Sequence, residues 1–234
     1  MNAHPILKRL ALPAVILLLT ACADQPTAPA TDTLLMAGAE GPMSASANAA
    51  QHTQADVFTH PSQGPSVQVS DAVATLVSHD NGARVTFQTR DLAPGHAHTL
   101  WWVVINAPEN CAASPCTAGE VLFNDEVVEA NVAYGDGSVV GGSGKATFAA
   151  HFSTGPVPGG WFASEFTNPR GAEIHLIMMD HGPAIPGLVS SQISTLRGGC
   201  TDESVPAAFP PVAHADGVPG PNPCRLVQMA ILEQ

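Results

Sequence analysis

The chain has 234 residues, of which 45% are hydrophobic and 12% charged, with 8 basic and 20 acidic side chains. The resulting net charge of −12 repels phosphate backbones, so the composition argues against nucleic-acid binding. Residues 1–21 hold two of the basic residues and no acid. Removing them leaves 6 basic and 20 acidic residues, a net charge of −14.

The N-terminus has the pattern of an export signal. Lys8 and Arg9 precede an apolar run over residues 10–19, which is too short to span a bilayer. Leu-Thr-Ala-Cys at residues 19–22 resembles the lipobox of bacterial lipoproteins. This resemblance implies cleavage before Cys22 and acylation of its thiol and amine with fatty acids such as palmitate. Cys22 is followed by alanine rather than aspartate, as in lipoproteins that are sorted to the outer membrane, which the chain resembles in this respect. The alternatives are an ordinary signal peptide with a chance cysteine, or a buried helix.

Residues 22–65 are rich in Ala, Thr, Ser, Gln and Pro and show no sustained period. This composition predicts a flexible tether between the lipidated cysteine and the folded domain. Two apolar stretches, residues 34–36 and 57–58, are compatible with a short segment docked on the domain. Residues 66–234 are long enough to form a single domain with a sizeable core.

From residue 66 onward, short apolar runs alternate with turns rich in Gly and Pro. This pattern is typical of an all-β, antiparallel β-sandwich or barrel-like domain. Residues 67–92 predict a hairpin with its turn at Asp-Asn-Gly, residues 80–82. Residues 98–106 are apolar at successive positions, which predicts a central strand covered on both faces.

The second half of the domain continues this pattern. Residues 129–134 and 144–152 predict another hairpin-like unit, with Gly-Asp-Gly at 135–137 as its turn and three inward-facing residues, Phe148, Ala150 and Phe152. Residues 171–179 and 225–232 predict two further strands. Between them, apolar residues at helical spacing over 188–196 predict one short helix.

Cysteine usage agrees with an oxidising compartment. Lipidation of Cys22 leaves four of the five cysteines, an even set that allows three pairings. We favour Cys111–Cys116, which closes a short loop, and Cys200–Cys224, which closes a segment rich in Pro and Gly. A four-cysteine zinc site is the alternative, although neither pair has the C-x2-C spacing usual for one.

Side chains that can bind a metal occupy alternate positions in two of the predicted strands. His96 and His98 project to one face of the first, and Glu173 and His175 to one face of the second, because side chains two residues apart share a face. Together these side chains would suit Zn, Cu or Fe, and Met179 adds a soft ligand suited to copper. The alternative is a structural role, in which His98 is a core histidine bonded to backbone and His96 belongs to the preceding loop. We favour the structural interpretation.

Other patterns give weaker indications of chemistry. Residues 139–146 resemble a phosphate-binding loop, but Val139 replaces its first glycine and Ala146 its Ser/Thr. Asp180 and His181 could form an acid–base pair, yet adjacent side chains of a strand point apart. Trp161, which follows two glycines, is the tryptophan expected to be exposed. It could stack on a sugar ring or fill a loop.

Three strings resemble a family of secreted bacterial proteins that has no assigned activity: LAPGHAHTLWWVVINAPENC, GKATFAAH and NPRGAEIHLIMMDHGPA. The resemblance covers most of Val67–Gln234 and implies an extracytoplasmic β domain. AHTL and NPRGAEIHL are also similar to strings of the CHRD domain, a secreted β module. The chain lacks the second histidine of that domain's A-H-x-H string and the arginine of its G-E-I-R-G string.

We therefore expect a lipid-anchored protein of the bacterial outer membrane, with one disulfide-stabilised β domain that acts by binding or scaffolding rather than by catalysis. Its expected partners are the membrane, through the N-terminal lipid, and a protein or glycan ligand. We expect neither nucleic acid nor a cofactor. The alternatives are a copper or zinc protein using His96, His98, Glu173 and His175, and a glycan-binding module using Trp161.

Overall fold

The computed structural model describes residues 49–234, so Cys22, the predicted signal and most of the tether lie outside the described residues. Eight strands form one sheet: β1 Gln51–Thr59, β2 Gln68–His79, β3 Gly82–Thr89, β4 His96–Ile105, β5 Ala130–Val139, β6 Ala146–Ser153, β7 Glu173–Pro183 and β8 Arg225–Leu232. Four short helices lie in the connections: α1 Ala118–Phe123, α2 Asp125–Val128, α3 Val189–Gln192 and α4 Pro211–Ala215. In this part of the chain, no helix is long and apolar enough to cross a membrane.

The sheet is antiparallel throughout and has the strand order β5-β4-β7-β8-β1-β2-β3-β6. Its two edge strands approach each other, and the Ala149 amide donates to Asp136 Oδ2 at 2.8 Å across the gap. The sheet is therefore curled into a nearly closed barrel. This confirms the predicted all-β, antiparallel fold of sandwich or barrel type.

Strand β1 lies in the segment that the composition predicts to be a tether. It pairs with β2 over most of its length and with β8 at Phe58 and Thr59, so it is an interior strand of the sheet. Val57 is its one fully buried residue, and the other positions are exposed or half-buried. A single buried apolar residue leaves almost no hydrophobic period to detect. The folded domain therefore includes residues 51–59, which lie before the predicted domain start at residue 66.

Gly-Asp-Gly at residues 135–137 lies inside β5 and is not the predicted turn. A Cβ atom added at Gly135 would lie 2.9 Å from Trp102 Cδ1, and one at Gly137 would lie 1.9 Å from the Ile193 carbonyl oxygen. The two glycines therefore permit close packing of β5 against its surroundings. The chain turns later, after β5 ends, and β6 pairs with β3 rather than with β5.

Strand β4 is covered on both faces, as the sequence predicted. Its even-numbered residues Leu100, Trp102 and Val104 belong to the core inside the barrel, which we call the inner face. Its odd-numbered residues Trp101, Val103 and Ile105 belong to a second apolar cluster outside the barrel, which we call the outer face. The connections that hold all four helices and both disulfides contribute to the covering of this second face.

Both predicted disulfides are confirmed, since Cys111 is bonded to Cys116 and Cys200 to Cys224. Glu120 fixes the loop that the first disulfide closes. Its carboxylate accepts hydrogen bonds from the amides of Ala112 and Thr117. The predicted helix over residues 188–196 is present as α3, although it spans only four residues.

Candidate ligand-binding pocket

A pocket of about 310 Å³ lies on the outer face, between the sheet and the connections that cover it. We call it the outer-face pocket. It falls within the size range of small-molecule sites, and sites of this kind combine an apolar lining with a few polar groups. Its lining consists of His60, Ser62, Trp101, Val103, Ala118, Val121, Leu122, Val132, Trp161, His175, Ile177, Leu196, Pro206, Ala208, Phe209 and Leu226.

Three aromatic rings form one wall of the outer-face pocket. The centroid of Trp161 lies 5.5 Å from that of Trp101 and 5.0 Å from that of Phe209, with the rings tilted by 45° and 53°. The Trp161 amide donates to the Val132 carbonyl at 2.9 Å, which fixes its loop against β5. Trp101 Nε1 donates to Thr99 Oγ1 at 2.8 Å, so this indole is already satisfied by the protein. The wall therefore offers flat, polarisable apolar surface.

Trp161 was predicted to be an exposed ring or a loop plug. In the structure it is half-buried and belongs to the pocket wall, between two other rings. Phe209, on its other side, lies among prolines in a stretch without any hydrophobic period, so the sequence does not predict its place in the wall. Composition alone gives no signal that such a loop folds back onto a strand.

His175 supplies a polar group beside the sheet floor of the outer-face pocket. Its Nε2 atom lies 2.5 Å from Glu173 Oε1, and the same oxygen accepts the Cys116 amide at 2.8 Å. His175 is 7% exposed and Glu173 4%. A buried imidazole bonded to a fixed carboxylate has a defined ring orientation and tautomer.

The second predicted pair, His96 and His98, lies at one end of the barrel. His96 Nδ1 is 2.9 Å from Asp180 Oδ1, and His98 Nε2 is 3.9 Å from the same oxygen. Arg225 lies 3.7 Å from the other oxygen of this carboxylate. Burial lowers the pKa of His98, with the charge of Asp180 acting in the opposite direction. Together with His98, Asp180 and Arg225 line a separate cavity of about 350 Å³.

The structure does not bring the four predicted ligands together. His98 of β4 pairs with Asp180 of β7, and five residues further along β4, Val103 pairs with His175 in the same unbroken register. The two histidines are therefore five positions apart along the sheet, which is an odd number. His98 therefore shares the inner face with Leu100, whereas His175 shares the outer face with Val103. Five positions along the strand separate them further, by about 17 Å. Glu173 lies with His175 and His96 with His98, as two separate pairs.

His181 is buried on the outer face beside the second disulfide. Its Nε2 bonds with Thr99 Oγ1 at 2.7 Å, and its Nδ1 with the Gly198 carbonyl at 2.9 Å. Within residues 49–234, only His181, Cys200 and Cys224 have three ligand-type atoms close enough to share an ion. The two sulfur atoms are bonded to each other, and a thiolate is the form that binds metal. In this oxidised form the group is structural.

His60 and Ser62 lie in contact at the more exposed side of the pocket, with 2.8 Å between Nδ1 and Oγ. The same Nδ1 accepts the Ser62 amide at 3.2 Å, so the imidazole caps the short 3-10 turn that follows it. The single proton of the Ser62 hydroxyl is also within 3.4 Å reach of the Leu226 carbonyl oxygen, measured from Oγ. These bonds describe a turn cap that ties β1 to β8 rather than an activated serine.

Comparisons with known protein families, with characterised proteins and with solved structures found no match for this chain. The outer-face pocket is therefore the feature from which we infer a function.

Proposed function

We propose that this protein is a lipid-anchored binding protein of the bacterial envelope, which holds a small apolar, ring-containing ligand in the outer-face pocket and does not transform it. The observation that supports this proposal is the aromatic wall of Trp101, Trp161 and Phe209 beside a mainly aliphatic floor. Pockets of this composition bind ligands chiefly through burial of apolar surface.

The dimensions favour a ligand of two or three rings. A volume of about 310 Å³ lies at the lower end of the range for small-molecule sites. Burial of about 200 Å² of ring surface contributes about 5 kcal/mol, from which the loss of translational freedom must be subtracted. We therefore expect weak binding of simple aromatic compounds, with dissociation constants of about 0.2 mM or higher.

The same lining argues against a glycan as the preferred ligand. Sugar hydroxyls need several polar partners, because each buried hydroxyl without a partner costs free energy. Apart from the indoles, the side chains of the lining with polar atoms are His60, Ser62 and His175. His60 and Ser62 already bond to each other, so a sugar would leave most of its hydroxyls unpaired.

The proposed anchorage rests on the N-terminal pattern, in which a basic region, an apolar run and a lipobox-like string follow in order. Two disulfides agree with an oxidising compartment. An acidic chain is not attracted to anionic lipids, so attachment to the membrane would depend on acyl chains.

The binding proposal is tested with N-phenyl-1-naphthylamine, a neutral probe that fluoresces in apolar surroundings. The mature chain with Cys22→Ser avoids detergent, which would compete for the pocket. We expect saturable binding at one site and an affinity about 10-fold lower in Trp161→Ala, because one ring of the wall is lost. Phe123→Ala is the matched control, since this ring is 69% exposed and does not line the pocket.

Two results would reject the proposal. In one, the probe does not bind, or it binds wild type and Trp161→Ala with equal affinity. The other is saturable binding of neutral oligosaccharides that Trp161→Ala abolishes while the naphthylamine does not bind, which would indicate a glycan-binding module.

A further inference from the structure

We infer that the ligand of the outer-face pocket carries a hydroxyl group on its ring system, as in a phenol, and that this hydroxyl donates to Nδ1 of His175. This inference rests on the proposed function and names the chemical class of the ligand. His175 would then be the residue that determines specificity among apolar ligands of similar shape.

The tautomer of His175 follows from its neighbours. An amide N–H can only donate, so Glu173 Oε1 acts as an acceptor toward the Cys116 amide at 2.8 Å. The same oxygen lies 2.5 Å from His175 Nε2, and because an ionised carboxylate can only accept, this nitrogen carries the proton and donates it to Glu173. In a neutral imidazole the other nitrogen, Nδ1, then has a free lone pair and accepts hydrogen bonds.

Nδ1 of His175 has no hydrogen-bond partner among residues 49–234. In this part of the chain, Trp102 Nε1 is the one fully enclosed side-chain nitrogen or oxygen atom without a partner. His175 Nδ1 also lacks a partner there, so it is not one of the fully enclosed atoms and keeps some accessible surface. The residue lines the outer-face pocket, beside Val103 and Ile177. The lone pair is therefore an accessible acceptor on a residue that is 93% buried by an apolar lining.

Charge restricts the chemical class of the donor. A carboxylate or phosphate on the ligand has no proton to donate, and it would enter an apolar pocket beside the Glu173 carboxylate. An ammonium group could donate, but its charge would have to leave water for a pocket floor of aliphatic side chains. A neutral hydroxyl donates one hydrogen bond at a much smaller cost of desolvation. A neutral ring with one hydroxyl therefore matches both the aromatic wall and the single acceptor.

The test compares 1-naphthol with 1-methylnaphthalene, which has nearly the same shape and no donor. Dissociation constants are measured by quenching of tryptophan fluorescence in the mature chain with Cys22→Ser. The quantity of interest is the ratio of the two constants, because the general hydrophobicity of each compound cancels between protein variants. We expect the preference for 1-naphthol to fall about 10-fold in His175→Phe, which keeps an aromatic ring but removes the acceptor.

His151→Phe is the matched control, because His151 is exposed on β6 and lines no part of the pocket. The ratio should stay unchanged in this variant. A second measurement needs no substitution at His175: in the ¹⁵N spectrum of the protein, the Nδ1 resonance of His175 should move on addition of 1-naphthol and stay in place with 1-methylnaphthalene.

The outcomes separate the two proposals. If neither compound binds, the proposed function fails. If both compounds bind, the pocket binds apolar rings, and either of two results then shows that the inference about the hydroxyl is wrong. One is an equal ratio of the two dissociation constants in wild type and His175→Phe, and the other is an Nδ1 resonance that does not respond to 1-naphthol.

Discussion

The imidazole of His181 lies against the Cys200–Cys224 disulfide, with 3.4 Å between its Nδ1 and Cys200 Sγ. The residue is fully buried, and both ring nitrogens already have partners inside the protein. Burial lowers the pKa of His181 from 6.5 to about 4, although the hydrogen bond to Gly198 acts in the opposite direction. The folded protein therefore holds this histidine neutral.

A pH dependence of stability follows from this burial. Between about pH 6.5 and pH 4 the unfolded chain binds a proton at His181 and the folded chain does not, so the free energy of unfolding falls as the pH falls. The loss should reach about 3 kcal/mol below pH 4. Urea unfolding from pH 4 to pH 8 measures it. The free energy of unfolding of His181→Gln should depend less on pH than that of wild type. That of His151→Gln should show the same pH dependence as wild type. Equal slopes for His181→Gln and wild type would contradict the prediction.

The separation of His98 and His175 leads to a second prediction. Because the two side chains occupy opposite faces of the sheet, the effects of His98→Ala and His175→Ala on the free energy of unfolding should add within about 0.5 kcal/mol. Chemical denaturation of the two single variants and the double variant measures the coupling. The pair His98→Ala and Asp180→Ala is the positive control, because these residues are in contact. A coupling free energy above this limit between the two histidines, which increases further with Zn²⁺ or Cu²⁺, would contradict the prediction and indicate a shared metal site.

The two disulfides should contribute unequally to stability. Cys200–Cys224 spans 24 residues and Cys111–Cys116 spans 5, and a longer loop loses more entropy in the unfolded chain when it is closed. We expect the double alanine variant of the longer loop to lose about 3 kcal/mol and that of the shorter loop about 2 kcal/mol. Thermal unfolding of the two variants provides the comparison. The reverse order would show that native packing, rather than loop closure, determines the contributions.

Lipidation is tested at Cys22. Cys22→Ser removes the thiol that would carry the lipid, so the protein should move from the membrane fraction to the soluble fraction. Mass spectrometry of the N-terminal peptide should show acyl chains in wild type alone. A soluble wild-type protein without an acylated N-terminal peptide would contradict the proposed lipid anchor.

Local patterns were sufficient to predict much of the fold. Strands β2 and β3 and the turn between them could be read from alternating side chains and Asp-Asn-Gly, and His79 indeed pairs with Gly82. The unbroken apolar run of β4 indicated burial on both faces, which the two apolar clusters confirm. These features depend on neighbours in sequence, where hydrophobic period and turn chemistry are informative.

The candidate site could not be predicted in the same way, because it depends on register and on long connections. A shift of β7 by one residue relative to β4 would move His175 to the face that His98 occupies, and nothing local to either strand specifies that shift. Likewise, Phe209 reaches the pocket from a Pro-rich connection. The sequence therefore identified His175 and Trp161 as residues of interest but not the pocket that they share.

The amide that fixes Glu173 belongs to Cys116, which is also one half of a disulfide. Disulfides persist in oxidising compartments and are rare in the cytoplasm. A newly made, reduced chain would therefore lack the covalent closure that holds this amide in place, and with it the fixed orientation of His175. We expect ligand selectivity to depend on oxidation, so that reduction of the Cys111–Cys116 disulfide lowers the preference for ligands with a hydroxyl group.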